Sequence, residues 1–398
     1  MSVSLKETAD LVTSCVASGA RPFVALEHLE SGMGRLAADV ELPERMPPEI
    51  GAASVEPGDV LFGKLRPYLA KSWLADRPVF ASTELLCLRP RAGVDSRWLA
   101  YLVASNPVVE WAVATSDGTK MPRTSWEKLA EYRMLIPSMD DQRTIADYLD
   151  RETSRIDALI GKKQRMSGLL GERRQVLITK AVQGESGPGV AARGDQVNAM
   201  TRLKHVVVMR AGGTPSVDDP SMWSEDGTPW VTIGDMTRGR RVVVTKRAVS
   251  DDGIQSKRLP VGKPDTLLFA MYASLGATAL LGVKASWNQA ILGTDAVPHL
   301  AEPRFTGYWL QHLRQGLGAI ARSNTQDNLN AEQVGNFPFP VMMVITQRII
   351  ADYLDRETAR IDALVDKIDH QVALLQEHRQ ALITAAVTGE LEVPGVAA

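Results

Sequence analysis

Positively charged side chains that could hold a phosphate group cluster in the second half of the chain. The densest clusters are Arg238-Gly239-Arg240-Arg241 and Lys246-Arg247, and residues 191–345 carry 16 Lys and Arg against 13 Asp and Glu. Such clusters can bind a polyanion backbone, but they are equally common in solvated turns. Both interpretations stay open, because the whole chain has a net charge of only −2.

Sequence patterns of the common catalytic sites are missing. There is no G-x-x-x-x-G-K-[ST] phosphate loop, no H-E-x-x-H zinc motif and no G-x-S-x-G nucleophile turn. Gly212-Gly213-Thr214-Pro215 lacks a following lysine and helix, so it predicts a tight turn. Cys15 and Cys87 are not spaced for metal binding and are expected to be buried reduced thiols. We therefore expect no metal site, and a binding or scaffold protein rather than an enzyme.

A duplicated segment organises the chain around these residues. Residues 142–185 return as residues 347–390 without a gap, and 29 of the 44 aligned positions are identical. Composition alone would match only a few positions, so the segment is an internal repeat. Two near-identical segments separated by dissimilar sequence indicate a molecule that performs one task the same way twice and another task differently each time.

Each repeat predicts one long helix. Apolar residues recur at steps of three and four, a period typical of helices wound around a partner helix. At a rise of about 1.5 Å per residue, about 40 residues give a helix of roughly 60 Å. The predicted helix–helix core consists of equivalent residues in the two repeats, Ile145, Leu149, Ile156 and Leu159 in the first and Ile350, Leu354, Ile361 and Leu364 in the second.

Two such helices in one chain favour an antiparallel pair, since the region between them is long enough for the chain to turn back. The alternatives are that each helix packs on its neighbouring domain, or that copies pair between molecules. Gly184 and Gly389 follow the repeats and predict C-terminal caps. Gly161, Gly168 and Gly171 are expected to weaken the first helix.

The remaining sequence forms two segments of domain size, residues 1–140 and 200–345. Both contain a strand and turn, at residues 23–29 and 230–236, and both contain a turn that leads into a buried strand, at residues 57–62 and 264–269. This ordered similarity indicates a shared fold. Residues 186–199 predict a flexible linker and residues 391–398 a frayed tail. No apolar stretch approaches the roughly 18 residues of a membrane span, and no secretory signal is recognisable, so a cytoplasmic protein is expected.

The alternation of variable domain and repeated helix resembles the specificity subunit of type I restriction-modification systems. The most specific marks are the helix beginnings, Gln142-Arg143-x-Ile145-Ala146 and Gln347-Arg348-x-Ile350-Ala351. The helix ends, Leu177-Ile178-Thr179 and Leu382-Ile383-Thr384, are equally typical. The resemblance covers essentially the whole chain. One departure is that the first domain lacks a clear counterpart of the turn at residues 212–215, so its DNA-facing loop is expected to be reshaped.

The resemblance implies an α+β fold with two homologous target recognition domains, residues 1–140 and 200–345. Two antiparallel helices, residues 141–185 and 346–390, would join them around a pseudo-two-fold axis. Each domain would read one half of a split sequence in double-stranded DNA, and the helices would set the gap. The chain would not be catalytic. S-adenosylmethionine, ATP and Mg would be used by the partners, two methyltransferase subunits and the restriction/translocase subunits.

Loop residues of type Arg, Lys, Asn and Gln are suited to base edges and phosphates. The candidate DNA-binding residues of the first domain are Lys64, Arg66, Tyr68, Lys120 and Arg123. The candidates of the second domain are Thr214, Arg238, Arg240, Arg241, Tyr272, Asn324, Gln326 and Asn328. The candidate partner-binding residues, shared by both repeats, are Arg151, Arg155, Arg356 and Arg360. For each residue the alternative is an ordinary surface side chain.

Two other functions remain as alternatives. One is a coiled-coil adaptor whose globular parts bind proteins instead of DNA. The other is a recognition subunit that retains a hidden nuclease or methyltransferase activity. Binding to random-sequence duplex with a steep salt dependence would favour the DNA reader over the adaptor. Activity of the purified chain with S-adenosylmethionine alone would favour the enzyme.

Overall fold

The computed structural model describes residues 2–15, 21–37, 40–44, 52–187, 199–237, 239–272, 274–321 and 328–396. The chain divides into two compact units. Unit 1 comprises Met1–Arg165 and Ile368–Ala398, and unit 2 comprises Met166–Lys367. Each unit therefore contains half of each repeated segment. Helices and sheets occur together in both units, which confirms the predicted α+β class.

The globular part of unit 1 consists of short strands and helices. Its strands are β1 Ser2–Ser4, β2 Ala9–Leu11, β3 Ser14–Cys15, β4 Phe23–Val24, β5 Ala52–Val55, β6 Val60–Gly63, β7 Ser72–Leu74, β8 Val79–Ser82, β9 Leu85–Pro90 and β10 Arg133–Leu135. Its helices are α1 Ser96–Ala104, α2 Asn106–Ala114 and α3 Trp126–Leu129. The strands form sheets in the orders β2-β9-β6-β7, β3-β5-β8-β4 and β1-β10.

The first repeat forms helix α4, Met139–Gln183. Three glycines lie inside this helix and do not interrupt it. Gly184 follows with a φ of 71°, and the N–H of Glu185 donates to the carbonyl oxygen of Lys180 over 2.8 Å. These are the features of a left-handed C-terminal cap, so the predicted helix end is confirmed.

The globular part of unit 2 follows the same plan. Its strands are β11 Met200–Arg202, β12 Val207–Ala211, β13 Trp223–Val231, β14 Arg241–Val242, β15 Arg247–Val249, β16 Leu267–Ala270, β17 Thr278–Leu281, β18 Ser286–Trp287, β19 Ile291–Ala296 and β20 Pro338–Pro340. Its shorter helices are α5 Ile233–Met236, α6 Asp251–Lys257, α7 Pro303–Ala321 and α8 Ala331–Gly335. The strand orders are β12-β19-β16-β17-β14, β15-β13-β18 and β11-β20.

The second repeat forms helix α9, Val344–Thr388, and Gly389 follows it with a φ of 79°. In unit 1 the two long helices are antiparallel, because Asp157 binds Arg379 while Lys163, further along α4, binds Gln371, earlier in α9. In unit 2, Arg174 of α4 binds Asp362 of α9. The predicted antiparallel pair is therefore confirmed.

The long helices also close the core of each unit. In unit 1, Ile145 and Leu149 of α4 pack with Ile383 and Val387 of α9 and with Trp98 of α1 in one buried cluster. In unit 2, Ile350 and Leu354 of α9 join a cluster that includes Ile178 of α4 and Phe305 of α7. The seam of the helix pair is thus continuous with the globular core, and each variable domain is anchored directly on the repeats.

Two residues of the predicted helix–helix core are on the surface instead. Leu159 is 47% exposed and Leu364 is 48% exposed, whereas Ile156 and Ile361 are buried. The physical reason is helical geometry: three residues after a buried position, an α-helix has turned about 60° away from the seam. In α4 the inward position is taken by Ile160, which is 3% exposed.

The tail after α9 is packed, and the prediction of fraying is wrong for residues 391–396. Val393 is 5% exposed and belongs to the core of unit 1, against which Leu391 and Val396 also pack. The N–H of Leu391 donates to the carbonyl oxygen of Ala385 over 2.9 Å. The tail's three apolar side chains explain this order, since burying them offsets the entropy of fixing the backbone. Most of the predicted linker, residues 188–198, lies outside the described residues.

Candidate nucleic-acid interface

The two candidate loops of unit 1 lie side by side. Strand β6 ends at Gly63, and the carbonyl oxygen of Lys64 accepts the N–H of Thr124 over 3.0 Å. The N–H of Arg66 donates to the carbonyl oxygen of Pro122 over 2.7 Å. These backbone hydrogen bonds bring segments from distant parts of the sequence into one surface, which we call loop surface 1 and define as residues 64–68 and 117–124.

Loop surface 1 presents both basic and apolar side chains. Arg66 and Lys120 are exposed, and Tyr68 and Met121 are each 54% exposed. Arg66 has a φ of 51°, in the left-handed region that non-glycine residues occupy at a cost of about 1–2 kcal/mol. Such strain persists only where surrounding contacts impose it, and it is frequent at binding sites.

Arg123 is also on loop surface 1, but its guanidinium is already engaged. Its Nη2 lies 2.8 and 2.9 Å from the two carboxylate oxygens of Glu84. Lys64 is half-buried. The free positive charge of this surface is therefore smaller than the count of its basic residues suggests, and Arg66 and Lys120 are its best-placed cations.

Unit 2 repeats this layout with different residues. Strand β16 ends at Ala270, and the carbonyl oxygen of Met271 accepts the N–H of Leu329 over 3.1 Å. Tyr272 is half-buried against the core, and Asn328 is half-buried. Three other candidates, Arg238, Asn324 and Gln326, lie outside the described residues.

The segment at residues 212–215 forms no hydrogen-bonded turn, so the prediction of a tight turn is wrong. It leaves β12 and packs against residues 287–289, where a Cβ on Gly212 would lie 2.2 Å from the carbonyl oxygen of Asn288. The glycine is therefore required by close approach of two backbones rather than by a turn. The hydroxyl of Thr214 donates to the side-chain oxygen of Gln289, and Trp230 Nε1 donates to the carbonyl oxygen of Gly213 over 3.1 Å.

The guanidiniums of Arg240 and Arg241 are engaged by other side chains of the protein, which argues against ligand contact. Arg240 donates to the hydroxyl of Tyr308 over 2.7 Å and to Asp362 Oδ2 over 2.8 Å. Arg241 lies 2.5 Å from Asp265 Oδ1. The sequence prediction did not anticipate these carboxylates, because Asp362 and Asp265 are distant in sequence from the basic cluster. Neither arginine is therefore proposed as a DNA contact.

A hydrogen-bonded network links α1 to α4 in unit 1. Arg97 Nη1 lies 2.7 Å from Asp147 Oδ1 and 2.8 Å from Asp150 Oδ2. The hydroxyl of Tyr101 donates to Asp150 Oδ1 over 2.7 Å, with Thr153 Oγ1 at 3.2 Å. Burial raises the pKa of the Tyr101 hydroxyl, so it stays a donor at neutral pH.

Unit 2 contains the equivalent network. Arg304 Nη1 lies 2.7 Å from Asp352 Oδ1 and 2.9 Å from Asp355 Oδ2, and the hydroxyl of Tyr308 donates to Asp355 Oδ1 over 2.7 Å. Burial lowers the pKa of Arg304, but its hydrogen bonds to Glu302 and Asp352 outweigh that effect and raise it. Sequence reasoning missed both networks, although the identical aspartates of the repeats were a signal for them.

The candidate partner-binding arginines lie on the exposed faces of the long helices. Arg151 and Arg356 are exposed. Arg155 pairs with Glu152 one turn away, and Arg360 pairs with Glu357, with arginine side chains that are 76% and 72% exposed. Exposed pairs of this kind contribute only about 0–1 kcal/mol to stability, so these arginines are not needed to hold the helices.

The described residues contain no group of three His, Cys, Asp or Glu side chains that could hold a metal ion. Among the helices of the described ranges, none has an apolar stretch long enough to span a bilayer. Cys87 is buried as a free thiol, and burial raises its pKa. The side chain of Cys15 is outside the described part of the chain.

In both α+β units the long helices come from the repeated segment, whereas the loops beside the globular sheets differ in sequence. Comparisons with known proteins agree with this arrangement. Residues 198–373 match the model of the type I restriction modification DNA specificity domain. This match lies in the second half of the chain, and it agrees with the resemblance found in the sequence.

Two curated relatives come from Escherichia coli. The chain is 25% identical over 170 residues to the specificity subunit of type I restriction enzyme EcoBI, covering 42% of this chain and 34% of the relative. It is 21% identical over 128 residues to the specificity subunit of type I restriction enzyme EcoDI, covering 32% and 28%. The chain thus spans about a third of the length of these relatives.

One solved structure is similar over almost the whole chain. It is described as the structural basis of complex assembly and conformational transition of the type I R-M system. The TM-score is 0.73, the sequence identity is 19%, and 98% of each chain is covered. At this identity the likeness concerns the fold.

Proposed function

We propose that this chain is the specificity subunit of a type I restriction-modification complex. In this role it binds double-stranded DNA and selects a split target, with residues 1–140 reading one half and residues 200–345 the other. The observation that carries the proposal is the contrast between two sets of residues. One set is the pair of hydrogen-bonded networks around Arg97 and Arg304, and the other is the candidate loops of the two units. The networks share equivalent arginine, tyrosine and aspartate residues in both units, whereas the loop residues are different.

DNA recognition has this same division of labour. Contacts to phosphates position a protein, and contacts to base edges select the sequence. Loop surface 1 presents Arg66, Lys120 and Tyr68, and the equivalent surface of unit 2 presents Tyr272 and Asn328. Two equivalent scaffolds with unlike loops suit a target whose halves have unlike sequences.

The repeated helices are proposed as the docking surface for two methyltransferase subunits, because a partner bound twice needs the same surface twice. Arg151 and Arg356 are equivalent and exposed. Leu159 and Leu364 are also equivalent and exposed. The same is true of Leu169 and Leu374, which are 64% and 48% exposed. Exposed apolar residues at equivalent positions of both repeats are what such a shared docking surface requires. Docking of restriction/translocase subunits is part of the same proposal.

The chain itself is proposed to be non-catalytic. Methyl transfer from S-adenosylmethionine and ATP- and Mg-dependent restriction are then reactions of the partners. Assay of the purified chain with S-adenosylmethionine, and separately with ATP, should give no turnover, while addition of the methyltransferase partner should produce sequence-specific methylation. Turnover by the isolated chain would show that this part of the proposal is wrong.

A selection experiment with a domain exchange tests the central proposal. The complex with its methyltransferase partner is used to map methylated sites in a random-sequence duplex library. Residues 1–140 are then exchanged for the equivalent domain of a relative, and residues 200–345 are exchanged in a matched variant. Each exchange should change one half of the target and leave the other half unchanged. A change in both halves after either exchange would contradict independent reading by the two domains.

A further inference from the structure

Asp157 and Asp362 are equivalent positions of the two repeats and bind equivalent arginines. In unit 1, Arg379 Nε of α9 donates to Asp157 Oδ1 over 3.0 Å. In unit 2, Arg174 Nε of α4 donates to Asp362 Oδ1 over 3.0 Å. This reciprocal pairing fixes the axial register of the two helices in each unit.

The two acids are connected to their globular domains by different arginines. In unit 1 the hydrogen-bonded connection comes from the helix: Arg379 Nη1 donates to the carbonyl oxygen of Gly32 over 3.2 Å, and Nη2 donates to that of Met33 over 3.0 Å. A longer ion pair comes from the globular domain, where Arg35 Nη1 lies 3.8 Å from Asp157 Oδ2. The side chain of Arg379 is only 7% exposed. A planar guanidinium that is bonded to two carbonyl oxygens of one loop and to a carboxylate of α4 determines the orientation of that loop.

This loop is bonded in turn to the proposed DNA-binding surface. The N–H of Gly32 donates to the carbonyl oxygen of Leu69 over 3.1 Å, and the N–H of Leu69 donates to that of Arg66 over 2.9 Å. A continuous series of hydrogen bonds therefore runs from Asp157 through Arg379 and Gly32 to Arg66, the strained residue of loop surface 1.

In unit 2 the connection comes from the globular domain. Arg174 is 25% exposed, and Arg240 reaches Asp362 from the segment before β14. The N–H of Leu280 in β17 donates to the carbonyl oxygen of Arg240 over 2.9 Å. Strand β17 pairs with β16, whose end leads to Tyr272. The arginine that makes the hydrogen bonds lies on the helix in unit 1 and in the globular domain in unit 2, but it joins the equivalent helix position to the equivalent loop in both.

We propose that Arg379 and Arg240 are positioning residues that orient each recognition domain on the helix pair through Asp157 and Asp362, and so set the gap between half-sites that the protein accepts. The inference rests on the proposed function. Arg240, which its basic cluster predicts as a DNA contact, acts on the DNA only through the loop that it orients.

The test uses the variants Arg379→Met and Arg240→Met, with Arg241→Met as the matched control. Arg241 is adjacent to Arg240 but pairs with Asp265 of the globular domain instead of with a carboxylate of the long helices. Binding of the full chain with its methyltransferase partner is measured on duplexes that carry the wild-type half-sites at the native gap, one base pair shorter and one longer. The wild type and Arg241→Met should bind the altered gaps at least about tenfold more weakly than the native gap, as expected for the cost of a misplaced contact.

Arg379→Met and Arg240→Met should reduce this discrimination to less than about threefold while selecting the same half-site bases. If either variant does not fold, Arg379→Lys or Arg240→Lys replaces it, because lysine keeps the charge but not the planar set of donors. If the affinity falls equally for all three gaps and the discrimination is unchanged, these arginines have only a structural role. That result would overturn the inference. A wild-type complex with no sequence preference would instead contradict the proposed function.

Discussion

Gln142 and Gln347 are buried at the same position of the two repeats and make the same three hydrogen bonds. Gln142 Oε1 accepts the N–H of Asp95 over 2.8 Å, and its Nε2 donates to the carbonyl oxygens of Gly93 and Pro137 over 3.2 and 3.0 Å. The side chain joins the start of α4 to the loop before α1. The repeat thus fixes where each long helix begins on its globular domain.

In unit 2, Gln347 Oε1 accepts the N–H of Glu302 over 2.9 Å, and its Nε2 donates to the carbonyl oxygens of Leu300 and Met342 over 2.9 and 3.1 Å. Gln142 is 1% and Gln347 0% exposed, so water cannot replace these partners without local opening. An amide satisfied at both ends inside a core specifies one arrangement of the chain around it.

Replacing Gln142 or Gln347 with methionine should destabilise its unit strongly. The variant keeps the side-chain length but leaves one N–H and two carbonyl oxygens without partners, at about 1–3 kcal/mol for each such buried group. Chemical denaturation followed by circular dichroism measures the loss. Gln376→Met, at an exposed position of α9, is the matched control and should change stability by less than about 0.5 kcal/mol. Equal effects at buried and exposed glutamines would show that these hydrogen bonds do not hold the helices in place.

Replacing Leu159 and Leu364 with glutamate should leave stability nearly unchanged, because both side chains are about half exposed. The neighbouring change Ile160→Ala should cost about 2–5 kcal/mol, since Ile160 is buried. Thermal unfolding distinguishes the two. Native mass spectrometry with the methyltransferase partner then tests the shared docking surface, and each leucine variant should bind fewer partner subunits. A stable variant that still binds two partners would exclude these leucines from the interface.

Replacing Arg66 and Lys120 with alanine should weaken DNA binding and make it less sensitive to salt. Each phosphate contact that is lost lowers the slope of log K against log salt by about 0.9. Fluorescence titrations with target duplex at several salt concentrations measure the slope. Arg77→Ala is the control, since Arg77 is an exposed arginine that pairs with Asp76 outside loop surface 1. An unchanged slope in the Arg66 and Lys120 variant would mean that this surface does not contact phosphates.

Acid should destabilise unit 2 partly through His312. Its Nδ1 lies 3.1 Å from Thr179 Oγ1, and burial lowers the pKa of its ring from the usual 6.5. Folding therefore favours the neutral ring. The associated stability is fully present above about pH 6.5 and is lost as pH falls from there through the lowered pKa. His312→Asn should lose less stability between pH 7.5 and pH 5.5 than the wild type does. Parallel stability curves for the two proteins would contradict this assignment.

The long helices could be predicted from the sequence because their signal is local. A sustained apolar period of three and four, a duplicated segment and a terminal glycine are all visible without knowledge of contacts. The same local signal gave the wrong prediction at Leu159 and Leu364. Apolar residues spaced by either three or four positions do not tell which residue of a turn contacts the partner helix. Only the packed pair decides that position.

The candidate site was predictable in part for the same reason. The loops after β6 and before α3 were recognisable from their residue types, and the structure brings them together through Lys64 and Thr124. The role of Arg240 was not predictable. A basic cluster looks the same whether its side chains face solvent or carboxylates, and Asp362 is more than a hundred residues away in the sequence.

The sequence by itself determined the duplication, the two long helices, the α+β class and the resemblance to type I specificity subunits, because each depends on residue order or on periodicity along one segment. The tertiary structure decided which charges are engaged and which are exposed. Arg379 and Arg240 are joined to Asp157 and Asp362 only after residues far apart in the chain are folded together. Charge pairing depends on distance in space, and a linear pattern does not contain that distance.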